Sequence, residues 1–186
     1  PSRPELPRMS EPDRGRRVTA RRASAVVVAG LVVGLFSGLA LGVVWWQLAP
    51  SVPVIVRPGD SFPQGFQPEG YLAADATFGL LGVIAGIAIT IGLANMRRDR
   101  LLSVLIAGLL SGVVGTAAMW FVGTRLGSVD IEGLSATTDT DLVIEAPLQV
   151  AMPGMFLMWP LAAALVVTVL ALGDWIVEVR SARRAR

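Results

Sequence analysis

The chain has 186 residues, 53% of them hydrophobic, with a mean hydropathy of +0.63 and a net charge of +2. A soluble domain of this length has too little interior to hide that much apolar surface, so the composition points to one polytopic membrane domain. Cysteine, histidine and lysine are absent, which excludes disulfides, thiol and imidazole catalysis, Schiff-base chemistry and almost every transition-metal or haem site.

Residues 1–22 hold Pro1, Pro4, Pro7 and Pro12 among seven arginines and repeat at no helical or strand period. They are expected to form a disordered Arg/Pro-rich tail. The apolar run that follows is too long for a signal peptide and lacks a small-x-small cleavage site, so it reads as an uncleaved anchor. Four apolar spans are expected at about 23–48, 76–96, 101–124 and 153–179. A run of about 20 residues at 1.5 Å per residue crosses the ~30 Å hydrocarbon core. The spans define a four-helix transmembrane domain over 23–179, with outer loops at 49–75 and 125–152 and a basic tail at 180–186.

Orientation follows from the arginines. Fourteen of the sixteen lie in the two tails and in the short connection Arg97-Arg98-Asp99-Arg100, leaving Arg57 and Arg125 for the other two loops. The positive-inside rule then puts both termini in the cytoplasm. Trp45, Trp46, Tyr71, Trp120 and Trp159 fall near the outer ends of the spans and Trp175 near the inner end, as in an aromatic belt. The outer loops contain β-branched runs, Val52–Val56 and Leu142–Val150, flanked by turn residues, which predict a small strand-bearing cap. With Asp60, Glu69, Asp130, Glu132, Asp139, Asp141 and Glu145 in these loops, the outer face is acidic.

Two stretches resemble a known family. Tyr71-Leu-Ala-Ala-Asp75-Ala-Thr-Phe78 opens the second span. Ile144-Glu-Ala-Pro-Leu-Gln-Val150 is followed by Met158-Trp159-Pro160-Leu-Ala-Ala163. Together they resemble an uncharacterised actinobacterial membrane-protein family, known as a domain of unknown function, over roughly Ala23 to Val179. The resemblance implies four spans and an actinobacterial plasma membrane. It brings no activity, substrate, cofactor or catalytic residue.

The candidate sites are few. Gly30, Gly34, Gly38 and Gly42 fall four residues apart in the first span, Gly82 and Gly86 recur in the second, and Gly108 and Gly112 in the third. Such small residues let backbones approach where the hydrophobic effect gives no drive. Packing among the protein's own helices is the default reading, with homodimerisation through the first span or docking to a partner membrane protein as alternatives. Asp75 stands at the head of the second span. It reads as an N-cap or an ion-pair partner of Arg57 or Arg125, against a proton or cation path, since intramembrane acids are costly. Asp174 and Glu178 with Arg180 and Arg183 read as a cytoplasmic ion-pair cluster, Asn95 as a helix C-terminal residue, and Pro160 as the cause of a kink near Phe156. Glu145 reads as a solvated loop charge, with ligand binding the alternative. The arginine-rich tails would rest on anionic headgroups.

The expected class is thus an all-α four-helix membrane bundle with a small strand-bearing extracytoplasmic cap. Its expected role is a non-enzymatic structural or accessory component of an envelope complex, without cofactor or nucleic acid. The alternatives are a small transporter or channel for a lipid or cation, working through Asp75 and the Pro160 kink, and thirdly an enzyme using Asp130, Glu132 and Glu145.

Overall fold

The structure, a computed structural model, describes residues 11–57, 60–63, 68–96, 100–130, 133 and 142–184, and for 11–23, 56–57, 60–63, 68 and 142 the backbone alone. Helix α1 runs over Glu11–Leu48, α2 over Pro68–Met96, α3 over Leu101–Leu126 and α4 over Met158–Arg184, the last preceded by a 3-10 turn at Pro153–Leu157. Each supplies a stretch long and apolar enough to cross a membrane, α4 together with its 3-10 turn: Ser24–Leu48, Glu69–Met96, Leu101–Leu126 and Pro153–Arg184. The protein is a multi-pass membrane protein built on a four-helix bundle.

Strands β1 (Pro53–Arg57), β2 (Asp60–Pro63) and β3 (Leu142–Glu145) form an antiparallel sheet in the order β2-β1-β3. Ile55 pairs with Phe62 on one side and with Val143 on the other. This sheet ties the α1–α2 connection to the α3–α4 connection and caps the bundle at the end away from the termini. The β-branched runs supplied β1 and β3. Strand β2, Asp-Ser-Phe-Pro, has no such run and takes its strand conformation from pairing with β1.

The helices pair out of sequence order. The most extensive contact is between α1 and α3, the next between α2 and α4, and α3 also packs on α4. Gly30 faces Ala107, Gly34 faces Ser111, Gly38 faces Gly115 and Gly42 faces Met119, a constant separation of 77 positions. A constant difference means that α1 and α3 run parallel and stay in register through the seam. Gly79 with Met155, Gly82 with Met158 and Gly86 with Ala162 keep a separation of 76, so α2 and α4 are also parallel. Across the two pairs the order reverses: Gly108 meets Ala163, Gly112 meets Pro160 and Gly115 meets Trp159. Two apolar clusters fill the interior. Near the termini lie Val26, Leu93, Ala94, Val104, Ala107 and Val167, and beneath the cap lie Trp45, Phe78 and Met119, with Leu148, Met155 and Phe156 packed against them.

Several expectations change, three of them in the course of the helices. Helix α1 begins at Glu11, so 11–22 is helical where a disordered tail was expected; 1–10 lies outside the described residues. The helix already nucleated in the span propagates backwards at low cost, and Pro12 falls in the first turn, where a missing N–H costs nothing. Pro160 makes no kink inside a helix. It has no N–H to give the Phe156 carbonyl, so that stretch winds as a 3-10 turn, with Met155 N–H donating to Met152 O at 3.0 Å, and the α-helix starts at Met158. Asp174, Glu178, Arg180 and Arg183 are all exposed, and among the described residues no ion pair joins them. The two arginines lie six and nine residues after Asp174 and two and five after Glu178, and none of these is the i,i+3 or i,i+4 spacing that brings helical side chains together. Asn95 sits next to the last residue of α2, as expected.

With α3 starting at Leu101, the register of 77 places Ser24 level with that start, so α1 continues for roughly 20 Å beyond it. The register of 76 puts Leu172 level with Met96, and α4 likewise continues for about 18 Å past the end of α2.

Candidate functional site: the latch beneath the cap

The second helix starts at Pro68, which places Asp75 two turns inside it and not at its N-cap. Proline is well suited to a first helical turn, and Glu69 there complements the helix dipole, so capping does not need Asp75. Asp75 is fully buried. Its carboxylate accepts from two backbone groups, Ala151 N–H at 3.0 Å on Oδ1 and Met152 N–H at 2.6 Å on Oδ2. These are the last two residues before the 3-10 turn that opens α4, so Asp75 fastens the incoming chain of α4 to the side of α2. The expected arginine partners do not take part: Arg125 lies over the Phe121 ring at 5.2 Å, and the side chain of Arg57 lies outside the described residues.

One residue earlier on α2, the Ala74 carbonyl accepts from Trp45 Nε1 at 3.0 Å. Trp45 comes from the last turns of α1 and is wholly buried, edge-on to Phe78 with ring centroids 4.9 Å apart. The aromatic chain continues from Phe78 to Phe156 at 5.4 Å and from Phe156 to Trp120 at 6.1 Å. A Cβ at Gly123 of α3 would collide with the Trp45 ring, so glycine at that position makes room for the indole. Trp45, Ala74 and Asp75 thus join α1, α2, α3 and the entry to α4 in one latch. The cap is stitched to its rim by Ala146 N–H to Val52 O at 2.7 Å and Leu148 N–H to Gly127 O at 3.1 Å.

The aromatic-belt expectation holds for part of its set. Trp46, Trp120 and Trp175 are 43%, 43% and 60% exposed, while Trp45 and Trp159 are buried in the core. Trp159 lies against Gly82, Gly86 and Gly115, where missing side chains leave room for its ring and backbone. Replacing Trp45 by phenylalanine keeps the edge contact with Phe78 and removes the bond to Ala74 O. The expected loss is about 1 kcal/mol of stability, read as a lower thermal midpoint of the detergent-solubilised protein.

The remaining candidates do not converge. Thr90, Ser111 and Thr116 are buried, and among the described residues their hydroxyls have no hydrogen-bond partner. Ser111 faces Gly34 on α1, whereas Thr90 faces Gly108, in different seams, so these two hydroxyls do not share a path. Asp130 accepts from Gly133 N–H at 2.9 Å in its own turn, Glu145 is exposed at the end of β3, and Glu132 lies outside the described residues. Among the described residues no three carboxylates gather as a metal site would require. No protein-family model, curated protein or solved structure matches this chain.

Proposed function

We propose that the protein is a non-enzymatic structural or accessory component of a plasma-membrane assembly, with both termini in the cytoplasm and the strand-bearing cap outside. The state of Asp75 carries this reading. An intramembrane acid that drives transport must exchange protons or cations with a water-accessible path. Here both carboxylate oxygens are engaged by backbone N–H groups and the residue is fully buried, which suits a fastening. The glycine faces are likewise occupied within the chain, α1 by α3 and α2 by α4. The placement in the sequence of fourteen arginines in the two tails and the α2–α3 connection supports the orientation and an association with anionic headgroups. The proposed kinship with the actinobacterial family rests on the motifs around Asp75 and Trp159 alone, and Asp75, Trp159 and Pro160 are residues that do packing work.

The test is flux. Proteoliposomes holding the purified chain are expected to leak protons and alkali cations no faster than empty vesicles, with Asp75→Asn indistinguishable from wild type. A wild-type flux that a folded Asp75→Asn variant loses would replace this reading with the transporter. Orientation is checked separately. Because the natural chain has no cysteine, single substitutions Gln149→Cys and Ser181→Cys, both at exposed positions, give clean labels. An impermeant maleimide applied to intact cells is expected to label Gln149→Cys and to leave Ser181→Cys unlabelled until the membrane is opened.

A further inference from the structure

At the capped end, a cleft of about 260 Å³ opens where α1 and α3 finish side by side, walled by Trp46 and Pro50 from the end of α1, Leu126 and Gly127 from the end of α3, and Glu145 and Leu148 from the cap. Two features give it a negative character, the carbonyls at the helix ends and the Glu145 carboxylate. The two helices are parallel, so both C-termini meet at this end; Gly123 O and Arg125 O of α3 already accept from Gly127 N–H and Ser128 Oγ, and the carbonyls left without donors bring partial negative charge. Pro50 has no N–H, so the Trp46 carbonyl four residues earlier lacks its helical donor, and among the described residues nothing else donates to it. The Glu145 carboxylate is exposed and makes no ion pair or hydrogen bond among the described residues. The arginine closest in sequence, Arg125, lies over Phe121 and is not part of the walls.

Trp46 adds the second kind of recognition. It is 43% exposed, in contrast to its buried neighbour Trp45, and an exposed indole attracts cations through its ring face. The volume is just below the ~300–1,000 Å³ typical of sites for drug-sized molecules and far above what a bare ion fills. A single carboxylate in the walls is also too few for a hard metal ion, which takes six or more oxygens. We propose that this cleft binds a small organic ammonium group, held by Glu145, Trp46 and the converging helix ends. Such a group is supplied either by an amine-bearing lipid headgroup at the membrane surface or by a free amine. The inference goes beyond the structural role proposed for the bundle and does not depend on it.

The test uses the full chain in an uncharged maltoside detergent, with tetramethylammonium chloride as probe, tert-butanol as its neutral isostere, and saturation-transfer NMR as readout. Wild type is expected to saturate with tetramethylammonium and not with tert-butanol. Glu145→Gln should weaken binding about tenfold, through loss of the formal charge, and Trp46→Leu about fivefold, through loss of the ring face. Both positions are exposed, so circular dichroism and thermal midpoints should stay at wild-type values; Glu145→Lys provides a second variant that must abolish binding. Failure to saturate, equal binding of tert-butanol, or unchanged binding in Glu145→Gln would each overturn the proposal. Native mass spectrometry of protein taken directly from membranes then assigns the source. A phosphatidylethanolamine adduct lost in Glu145→Gln supports the lipid headgroup, and tetramethylammonium binding without a retained lipid supports the free amine.

Discussion

Replacing Gly34 and Gly38 together by leucine is expected to destabilise the monomer itself, lowering its thermal midpoint in detergent by roughly 10–20 °C. A Cβ at Gly34 would stand 2.5 Å from Ser111 Oγ and 2.6 Å from the Ser111 carbonyl, and a Cβ at Gly38 would collide with the Gly115 carbonyl. The obstacles include facing backbone, which has no rotamer to escape into, so α1 must lift away from α3. Overpacking a close-packed interior costs about 1–3 kcal/mol per site and occasionally more. Here the two sites lie on one seam, so their effects couple and do not simply add. A kcal/mol is worth about 2–4 °C in a chain of this length. Gly92 is the matched control: nothing lies within 4 Å of its added Cβ. Gly92→Ala should therefore hold or raise the midpoint, since alanine is favoured over glycine inside a helix by roughly 0.5–1 kcal/mol. The pair is read by circular dichroism melting and by elution volume. If the Gly34/Gly38 double variant keeps its midpoint and loses only self-association, the seam serves an interface between copies.

Removing the carboxylate of Asp75 is the second change with a large expected effect. Asp75→Ala strands the N–H groups of Ala151 and Met152 where the acceptor is buried and no side chain replaces it. Ala151 and Met152 are themselves exposed and the two bonds part-buried, so water reaches the freed N–H groups. Hydrogen bonds to a charged group are worth about 1.5–3 kcal/mol each before that compensation, and a loss of about 2–4 kcal/mol is expected. Asp75→Asn keeps one acceptor oxygen and turns an amide donor towards the other N–H, giving an intermediate loss. The damage should be local to the latch. Hydrogen exchange is expected to accelerate in the segment 142–157 and to remain slow in the middle of α3. Wild-type exchange at Ala151 and Met152 in the alanine variant would show that Asp75 does not fasten the chain there.

Much of this arrangement was legible in the sequence. The four spans are visible from length and hydropathy because a bilayer demands about 20 apolar residues whatever else a helix does. The glycines of α1 announced a close seam because no other residue lets two backbones approach so nearly. What they could not announce was the partner: α3 carries small residues too, but so does α2, and only the three-dimensional register pairs Gly30–Gly42 with Ala107–Met119. Trp45 had a readable signal that position near the membrane surface obscured. It stands three residues after Gly42 and so continues the inward stripe, whereas Trp46, turned a further 100°, faces outward as a belt residue would. Trp159 had no comparable signal in its own helix, since the space for it is provided by Gly86 and Gly115 elsewhere in the chain. Asp75 was visible as an anomaly, but its partners are backbone groups 76 and 77 residues away, and backbone donors leave no mark on residue identity. The cleft beside Trp46 was hidden for the same reason, because carbonyls at converging helix ends are common to every sequence.

The parallel pairing of α1 with α3 also sets a clock. Because each glycine of α1 meets a partner 77 positions later, the first helix leaves the ribosome well before its seam can close. At the usual ~5–20 residues per second, that interval is about 4–15 s. Through it, four glycines in register face lipid or the insertion machinery with no matching surface from their own chain. The second helix waits as long for the fourth, so assembly must proceed in two overlapping steps, α1 onto α3 and then α2 onto α4 beneath a cap that the last connection completes.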